Sequence, residues 1–168
     1  MELFAAIESR TSAARLTVPG PSAEHLERML QAAARAPDHG RLRPWRFSVL
    51  DADARERFAE AAASAKRTAM PGLDAEQFAA ERAKQLRAPT LVVAGCAVRR
   101  DNPKIPEIEQ VLAVAAATQN FILAAHALGY GVMWKTGVAA YDPGVKAVAG
   151  LRPEDHIVAI LHLGTRAG

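Results

Sequence analysis

Seven arginines fall between Arg10 and Arg46 (Arg10, Arg15, Arg28, Arg35, Arg41, Arg43 and Arg46), against three carboxylates, Glu24, Glu27 and Asp38, and no lysine. The whole chain carries only +3, so outside this stretch it is slightly acidic. Guanidinium groups offer a planar, bidentate fit to phosphate or carboxylate that an ammonium lacks. The chemistry of this stretch is anion binding, although Arg28, Arg41 and Arg43 read as solvated surface groups.

Other reactive sets are missing. Ser9, Ser12, Ser22, Ser48 and Ser64 lie outside any nucleophile-elbow pattern. The five histidines, His25, His39, His126, His156 and His162, lack metal-ligand spacing. The single cysteine, Cys96, excludes an intrachain disulfide and sits in an apolar run as an inert thiol. No side chain is assigned as a catalytic acid, base or metal ligand, and if the chain is an enzyme a cofactor carries the reaction.

The elements that must position these groups follow from periodicity. At 168 residues and 50% apolar content, the chain fits one domain, 1–168, with a substantial core. Leu3, Ala6 and Ile7 space a short helix before the loop from Arg10 to Pro21. Ser22 caps a helix with the stripe Leu26, Met29, Leu30 and Ala33, which Pro37 ends. Trp45 to Leu50 reads as a strand. Asp53 caps a helix to about Lys66, and Asp74 begins another to about Leu86. Thr90 to Val98 is a doubly buried strand. Glu107 to Leu128 is a long helix, apolar on most sides, that belongs in the core or at a subunit interface and is ended by Gly129. Val132 to Val138 and His156 to Leu163 are strands, with a short helix from Asp142-Pro143 between them. This intermixing predicts an α+β fold with one mixed sheet.

An N-terminus opening with Glu2, without basic or long apolar regions, does not read as a secretion signal, so a cytoplasmic location is expected. The apolar tract from Val111 to Trp134 is interrupted by Thr118-Gln119-Asn120, His126, Gly129 and Gly131, which argues against a membrane span. A pI of 9.3 raises nucleic acid as a partner, but no helix-turn-helix, finger or RNA-recognition signature is present. Neither membrane nor nucleic acid is expected as a partner.

Five short pieces then occur in order: Arg10-Thr11-Ser12-Ala13-Ala14-Arg15; Arg35-Ala36-Pro37-Asp38-His39; Pro44-Trp45-Arg46-Phe47; Gly129-Tyr130-Gly131 before Trp134-Lys135-Thr136-Gly137; and Leu163-Gly164-Thr165. Together they resemble the FMN-dependent nitroreductase family, in its small YdjA-like branch, over essentially the whole chain. The resemblance implies a nitroreductase-like fold, a central sheet surrounded by helices, the long helix at a homodimer interface, and FMN in a cleft between the subunits. It implies FMN contacts from Arg10, Thr11 and Ser12, from Trp134, Lys135 and Thr136, and from Arg35 and His39 of the other subunit. It implies a nicotinamide-substrate site at Ala124, Ala125, His126, Ala127, Leu128 and Gly129. The activity it implies is a ping-pong transfer of hydride from NADH or NADPH, through flavin N5, to a small acceptor such as a nitroaromatic or quinone. Trp134-Lys135-Thr136 stands where the branch has Trp-Arg-Ser: the charge and the hydroxyl remain, and the bidentate fork is lost. Family members also continue beyond Leu163-Gly164-Thr165 into an arm that embraces the partner, whereas this sequence stops at Gly168; Arg166 either replaces a phosphate contact from that arm or plays no part. These two departures support the rival reading, a catalytically silent flavin-binding or flavin-free dimeric module for sensing or assembly.

Overall fold

The computed structural model describes residues 1–167. In chain order the elements are α1 (Leu3–Ser9), β1 (Leu16–Thr17), α2 (Ala23–Ala33), β2 (Trp45–Val49), α3 (Ala52–Ala69), α4 (Ala75–Leu86), β3 (Thr90–Cys96), α5 (Glu107–Ala127), β4 (Gly131–Lys135), α6 (Pro143–Val148) and β5 (His156–Arg166). Single 3-10 turns lie at His39–Arg41 and Val138–Tyr141. The fold is α+β.

Side-chain caps set most of the helix starts. Ser22 accepts from the His25 amide at 3.2 Å, and Asp142 accepts from Val145 at 3.0 Å, with Pro143 in the first turn. Asp74 and Gln77 form a reciprocal capping box at 2.8 and 3.1 Å. The cap of α3 is Asp51 rather than Asp53, accepting from Ala54 at 2.8 Å. Asp51 leaves β2 in an extended conformation, as a cap requires, and Asp53 sits in the first turn, where its charge suits the helix dipole. β4 stops at Lys135, short of the expected Val138, because Gly137 takes a positive φ of 67° and starts a 3-10 turn.

The strands lie in the order β2, β3, β5, β4, and β1 pairs with the last residues of β5. The expected mixed sheet is corrected here: every ladder among the described residues is antiparallel. β3 and β4, joined through α5, do run in the same direction. β5 lies between them and turns both neighbours into antiparallel pairs. β5 also runs on to Arg166, beyond the expected end at Leu163, because β1 pairs with Thr165 and Arg166.

Helices cover both faces of the sheet. On one face Met29 and Ala33 of α2 and Phe121 and Ala125 of α5 pack on Val92, Leu161 and Leu163. Phe121 stacks on Phe47 of β2, with ring centroids 5.6 Å apart, and truncating such a fully buried ring costs about 3–5 kcal/mol. On the other face Phe58 of α3 and Val145 of α6 pack on Leu91, Val93 and Ile160. α5 is long and apolar enough to cross a membrane by composition, but here its buried residues, Gln110 to Ala125, form the core. Its Ile108 and Leu112, with Leu3, Phe4 and Ile7 of α1, remain exposed.

α4 buries no residue of its own and is held at its C-terminal end by Arg55 of α3. The Arg55 guanidinium donates to the carbonyls of Leu86 (3.2 Å), Ala88 (2.5 Å) and Pro89 (2.9 Å), which otherwise lack partners where a helix ends and a strand begins. Arg55→Met should therefore lower unfolding free energy by about 2–4 kcal/mol, since hydrogen bonds to a charged donor are lost and carbonyls are left unpaired. Urea denaturation measures this, and a loss below about 0.5 kcal/mol would show that the clamp is dispensable.

Candidate functional site

The sheet carries two glycines side by side, Gly131 of β4 opposite Gly164 of β5. A Cβ at Gly131 would meet Leu16 at 2.7 Å and Ala13 at 2.8 Å, and one at Gly164 would meet Pro89 at 2.7 Å. The bare backbone lets the segment from Ala13 to Leu16 and the turn at Pro89 cross close over the strands. Ala13 is pinned there by its amide, which donates to the Val132 carbonyl at 3.0 Å. A cleft of about 570 Å³ opens beside this crossing, between that segment, the end of α4, and the strands β4 and β5.

Arg15, Lys84, Arg87 and Lys135 line the cleft, with no carboxylate among its lining residues. Lys84 is paired with Glu81 at 2.5 Å; Arg15, Arg87 and Lys135 have no carboxylate partner among the described residues. Burial, followed by the charges of Arg87 and Lys84, pulls the Lys135 ammonium below its usual range, against a weaker opposite pull from Glu81. His162, opposite Met133 in the ladder, lies in the lining and is only 3% exposed. Burial, then Lys135, Arg87 and Arg55, push its imidazole from 6.5 down to about 4. It is neutral near pH 7, and its Nε2 has no hydrogen-bond partner among the described residues.

A second cationic cluster sits at the C-terminal end of α5. Arg166 donates to the Thr11 carbonyl at 2.5 Å and to Thr11 Oγ1 at 3.1 Å. Ser9 Oγ donates to the Ala5 carbonyl at 2.5 Å, so it accepts from His126 Nε2 at 2.8 Å, which places the imidazole proton on Nε2. Burial and the nearby Arg166 and Arg10 lower the His126 pKa. The charges that act on His126 are thus Arg166 and Arg10, and those that act on Lys135 are Arg87, Lys84 and Glu81. The Arg166 side chain also packs at the glycine crossing, 2.8 Å from where a Cβ at Gly131 would lie, so the two clusters flank the same crossing.

The structure brings some of the expected residues together and parts others. Arg10, Thr11 and Ser12 form the extended link from α1 towards β1, with Thr11 and Ser12 exposed. Lys135 lies in the cleft reached by the continuation of that link. Trp134, on the other face of β4, is tied to the sheet by its indole N–H, which donates to the Val158 carbonyl at 3.2 Å, and Thr136 is exposed just beyond the strand. Of the segment Ala124 to Gly129, Ala125 is fully buried in the core, while Ala127 and Gly129 are exposed. His39 lies elsewhere, with Nδ1 2.5 Å from Glu109 near the start of α5. Arg35 is exposed just after α2. Seventeen residues of helix separate Glu109 from His126, which is roughly 25 Å at 1.5 Å per residue. Within one chain, His39 and Arg10 belong to opposite ends of α5.

Sequence reasoning missed Lys84, Arg87 and His162. The only available signal was Arg87 immediately before Ala88-Pro89 and a buried strand. Cys96 is inert as expected: burial, with help from Asp155 and Glu107, pushes its thiol up to about 12.

A sheet wrapped by helices on both faces, with unpaired cationic side chains and a buried neutral histidine lining one cleft, defines an α+β protein. This chain belongs to the nitroreductase family, whose model, described as "Nitroreductase family", matches residues 7–165. It is 36% identical over 167 residues to the Escherichia coli (strain K12) protein named "Putative NAD(P)H nitroreductase YdjA", a match that covers 98% of this chain and 88% of that one. In fold it resembles a nitroreductase-like family protein from Bacillus cereus (TM-score 0.83, 24% identity, 100% of this chain and 87% of that one). It also resembles a nitroreductase with bound FMN from Bacteroides fragilis NCTC 9343 (TM-score 0.76, 23% identity, 99% and 89%).

Neutral His162 has a consequence for stability. Its folded pKa lies below the unfolded value, so its contribution is complete above about pH 6.5 and is lost as pH falls towards 4, because only the unfolded chain takes up the proton in that window. The expected loss is about 1.4 kcal/mol per pH unit, reaching about 3 kcal/mol. Urea titrations at pH 7, 6, 5 and 4 should show this slope reduced in His162→Gln. Equal slopes in both proteins would contradict the burial of a neutral imidazole.

Proposed function

We propose that this chain is an FMN-dependent oxidoreductase that passes hydride from NADH or NADPH to a small acceptor such as a nitroaromatic or a quinone. The observation that carries this reading is the Arg10–Ser12 link. It presents a guanidinium and two hydroxyls, has Arg166 fixed on Thr11, and has no carboxylate paired with either arginine among the described residues. Such a set suits the dianionic phosphate of FMN. The relatives named as NAD(P)H nitroreductases support the nicotinamide donor, and a fold neighbour described with bound FMN is consistent with the flavin.

FMN, when bound, supplies the acceptance and donation of hydride. The chain's residues bind and orient. Arg10, Thr11 and Ser12 hold the phosphate end, and Lys135, with Trp134 and Thr136 beside it, adds positive charge from β4. The segment from Ala124 to Gly129 presents small residues for the nicotinamide substrate. Donor and acceptor use one pocket in turn, in ping-pong order, and no side-chain acid or base is required.

Arg35 and His39 belong to the same kind of site but lie at the other end of α5. The flavin site is therefore completed by a second copy of the chain, in a homodimer whose contact surface includes the exposed Ile108 and Leu112 of α5 and Leu3, Phe4 and Ile7 of α1. A twofold dimer places each missing half opposite its complement.

The purified protein should be yellow, with close to one FMN per chain, and should lose its flavin absorbance on anaerobic addition of NADH or NADPH. Arg10→Ala should weaken FMN binding by about 1.5–3 kcal/mol, roughly tenfold to more than a hundredfold, with the fold intact. A colourless protein that ignores added FMN would overturn the enzyme reading in favour of a flavin-free module, and an unchanged FMN affinity in Arg10→Ala would remove Arg10 from the site.

A further inference from the structure

The turn that leads from α2 to β2 is strained. Gly40, Arg41 and Arg43 all take a positive φ, of 67°, 53° and 49°, a region that residues other than glycine rarely enter. Strain of this kind persists only where the surroundings over-determine the backbone. Here Asp38 Oδ2 accepts from the Arg43 amide at 2.6 Å, and a Cβ at Gly40 would run into Ile105, so the turn is seated against the segment that leads into α5. The turn presents His39, whose Nδ1 lies 2.5 Å from Oε2 of Glu109, in the first turn of α5. The two side chains line a recess of about 280 Å³ whose other walls include Pro37, Leu112 and Ala116. They are 61% and 41% exposed, and an ion pair in that setting contributes little to stability. Stability does not account for a strained turn that delivers it.

What the pair does fix is the position of a proton. An ionised carboxylate only accepts hydrogen bonds, so Nδ1 of His39 carries the proton and Nε2 is the nitrogen left for a ligand. In a neutral imidazole the bond made by one nitrogen decides whether the other is bare, and here it leaves Nε2 with a lone pair. We propose that Glu109 is a positioning residue of the flavin site: by accepting from Nδ1–H it turns His39 into a hydrogen-bond acceptor for the N3–H of the flavin held chiefly by the partner subunit. The inference rests on the flavin-oxidoreductase reading, in which His39 reaches across the dimer. A phosphate dianion offers only acceptor oxygens, so a bare Nε2 is repelled there and does not belong at the phosphate end of the flavin. The uracil-like edge of the isoalloxazine instead carries one N–H, at N3, between two carbonyls. A bare Nε2 complements that group, whereas an Nε2–H would face it donor to donor. Glu109 acts through His39, and the strained turn holds the imidazole where the carboxylate can orient it.

The proton position can be read from the ¹⁵N resonances of the His39 ring at about pH 8.5, above the usual imidazole range, assigned by their disappearance in His39→Gln. The full chain without flavin should show Nδ1–H in the wild type and Nε2–H in Glu109→Ala. Glu109→Gln keeps an accepting oxygen and should retain Nδ1–H. Titrations at the same pH with FMN and with 3-methyl-FMN, in which a methyl group replaces the N3 proton, read the consequence. The wild type should prefer FMN by about tenfold, roughly the value of one hydrogen bond; Glu109→Ala should lose that preference, and Glu109→Gln should restore most of it. Nε2–H in the wild type, or Nδ1–H retained in Glu109→Ala, overturns the positioning role. Equal affinity of the wild type for the two flavins, or a preference that survives in Glu109→Ala, overturns the N3 contact and leaves the oxidoreductase reading standing. A wild type that binds neither flavin refutes that reading, and the flavin contact with it, even where the tautomer switches.

Discussion

β5 is the constraint on which the rest of the molecule depends. It is an eleven-residue strand, buried from Ala159 to Gly164, and it pairs with β1, β3 and β4. A central strand in an antiparallel sheet has no freedom of register, because a slip by one residue would move Ile160 and His162 to the face occupied by Leu161 and Leu163. The alternation separates the two helical layers: Leu161 and Leu163 meet α2 and α5, while Ile160 meets α3 and α6. His162 shares the α3 side, which explains how an imidazole comes to be buried beside Arg55 and beneath the cationic cleft. The same strand ends in Arg166, whose guanidinium fixes the Thr11 loop. One strand thus places a neutral polar group in the first cluster and a cation in the second.

α5 sets the longer dimension. α2 runs antiparallel along it, with His25 bonded to Tyr130 at 2.8 Å just after α5, Asn120 bonded to the Ala32 carbonyl at 3.3 Å, and His39 on Glu109 beyond. This packing carries the chain from the Arg10 end of α5 to the Glu109 end between residues 10 and 39. The segment that reads as a single anion-binding stretch in the sequence is therefore drawn out along a helix of about 30 Å. Charges that are close in sequence are far apart in space, and a site that uses both ends of the segment has to draw them from two copies.

Most of the fold was legible because the signals were local. Ser22, Asp74 and Asp142 have the residue types that cap helices, and Thr90 to Cys96 is a run too apolar to lie anywhere but inside. The errors arose where two local readings competed or where the deciding partner was distant. Asp51 and Asp53 are equally good caps by residue type, and the end of β2 decides between them. The relative direction of β3 and β4 was readable from the helix joining them, but the insertion of β5 between them was not, since its partners lie about 70 and 30 residues earlier in the chain. The candidate site was legible only in part for the same reason. Arg10, Ser12 and Lys135 stood out by motif, whereas Lys84 and Arg87 look like ordinary residues of an exposed helix. His162 looks like one more polar position in a strand. Only the strand register and the glycine crossing bring these residues to one cleft.

The central claim is that each flavin site is assembled from opposite ends of α5 on two chains. Subunit exchange tests it most directly. Arg10→Ala and the double variant Arg35→Ala/His39→Ala are each expected to bind FMN poorly as homodimers. In a mixed dimer one composite site collects all the substitutions and the other is wild type, so exchange should restore up to about half of the sites, seen as flavin absorbance and NAD(P)H oxidation. If mass spectrometry confirms the mixed dimer and neither signal returns, Arg35 and His39 do not act across the interface, and the account of a shared site is wrong.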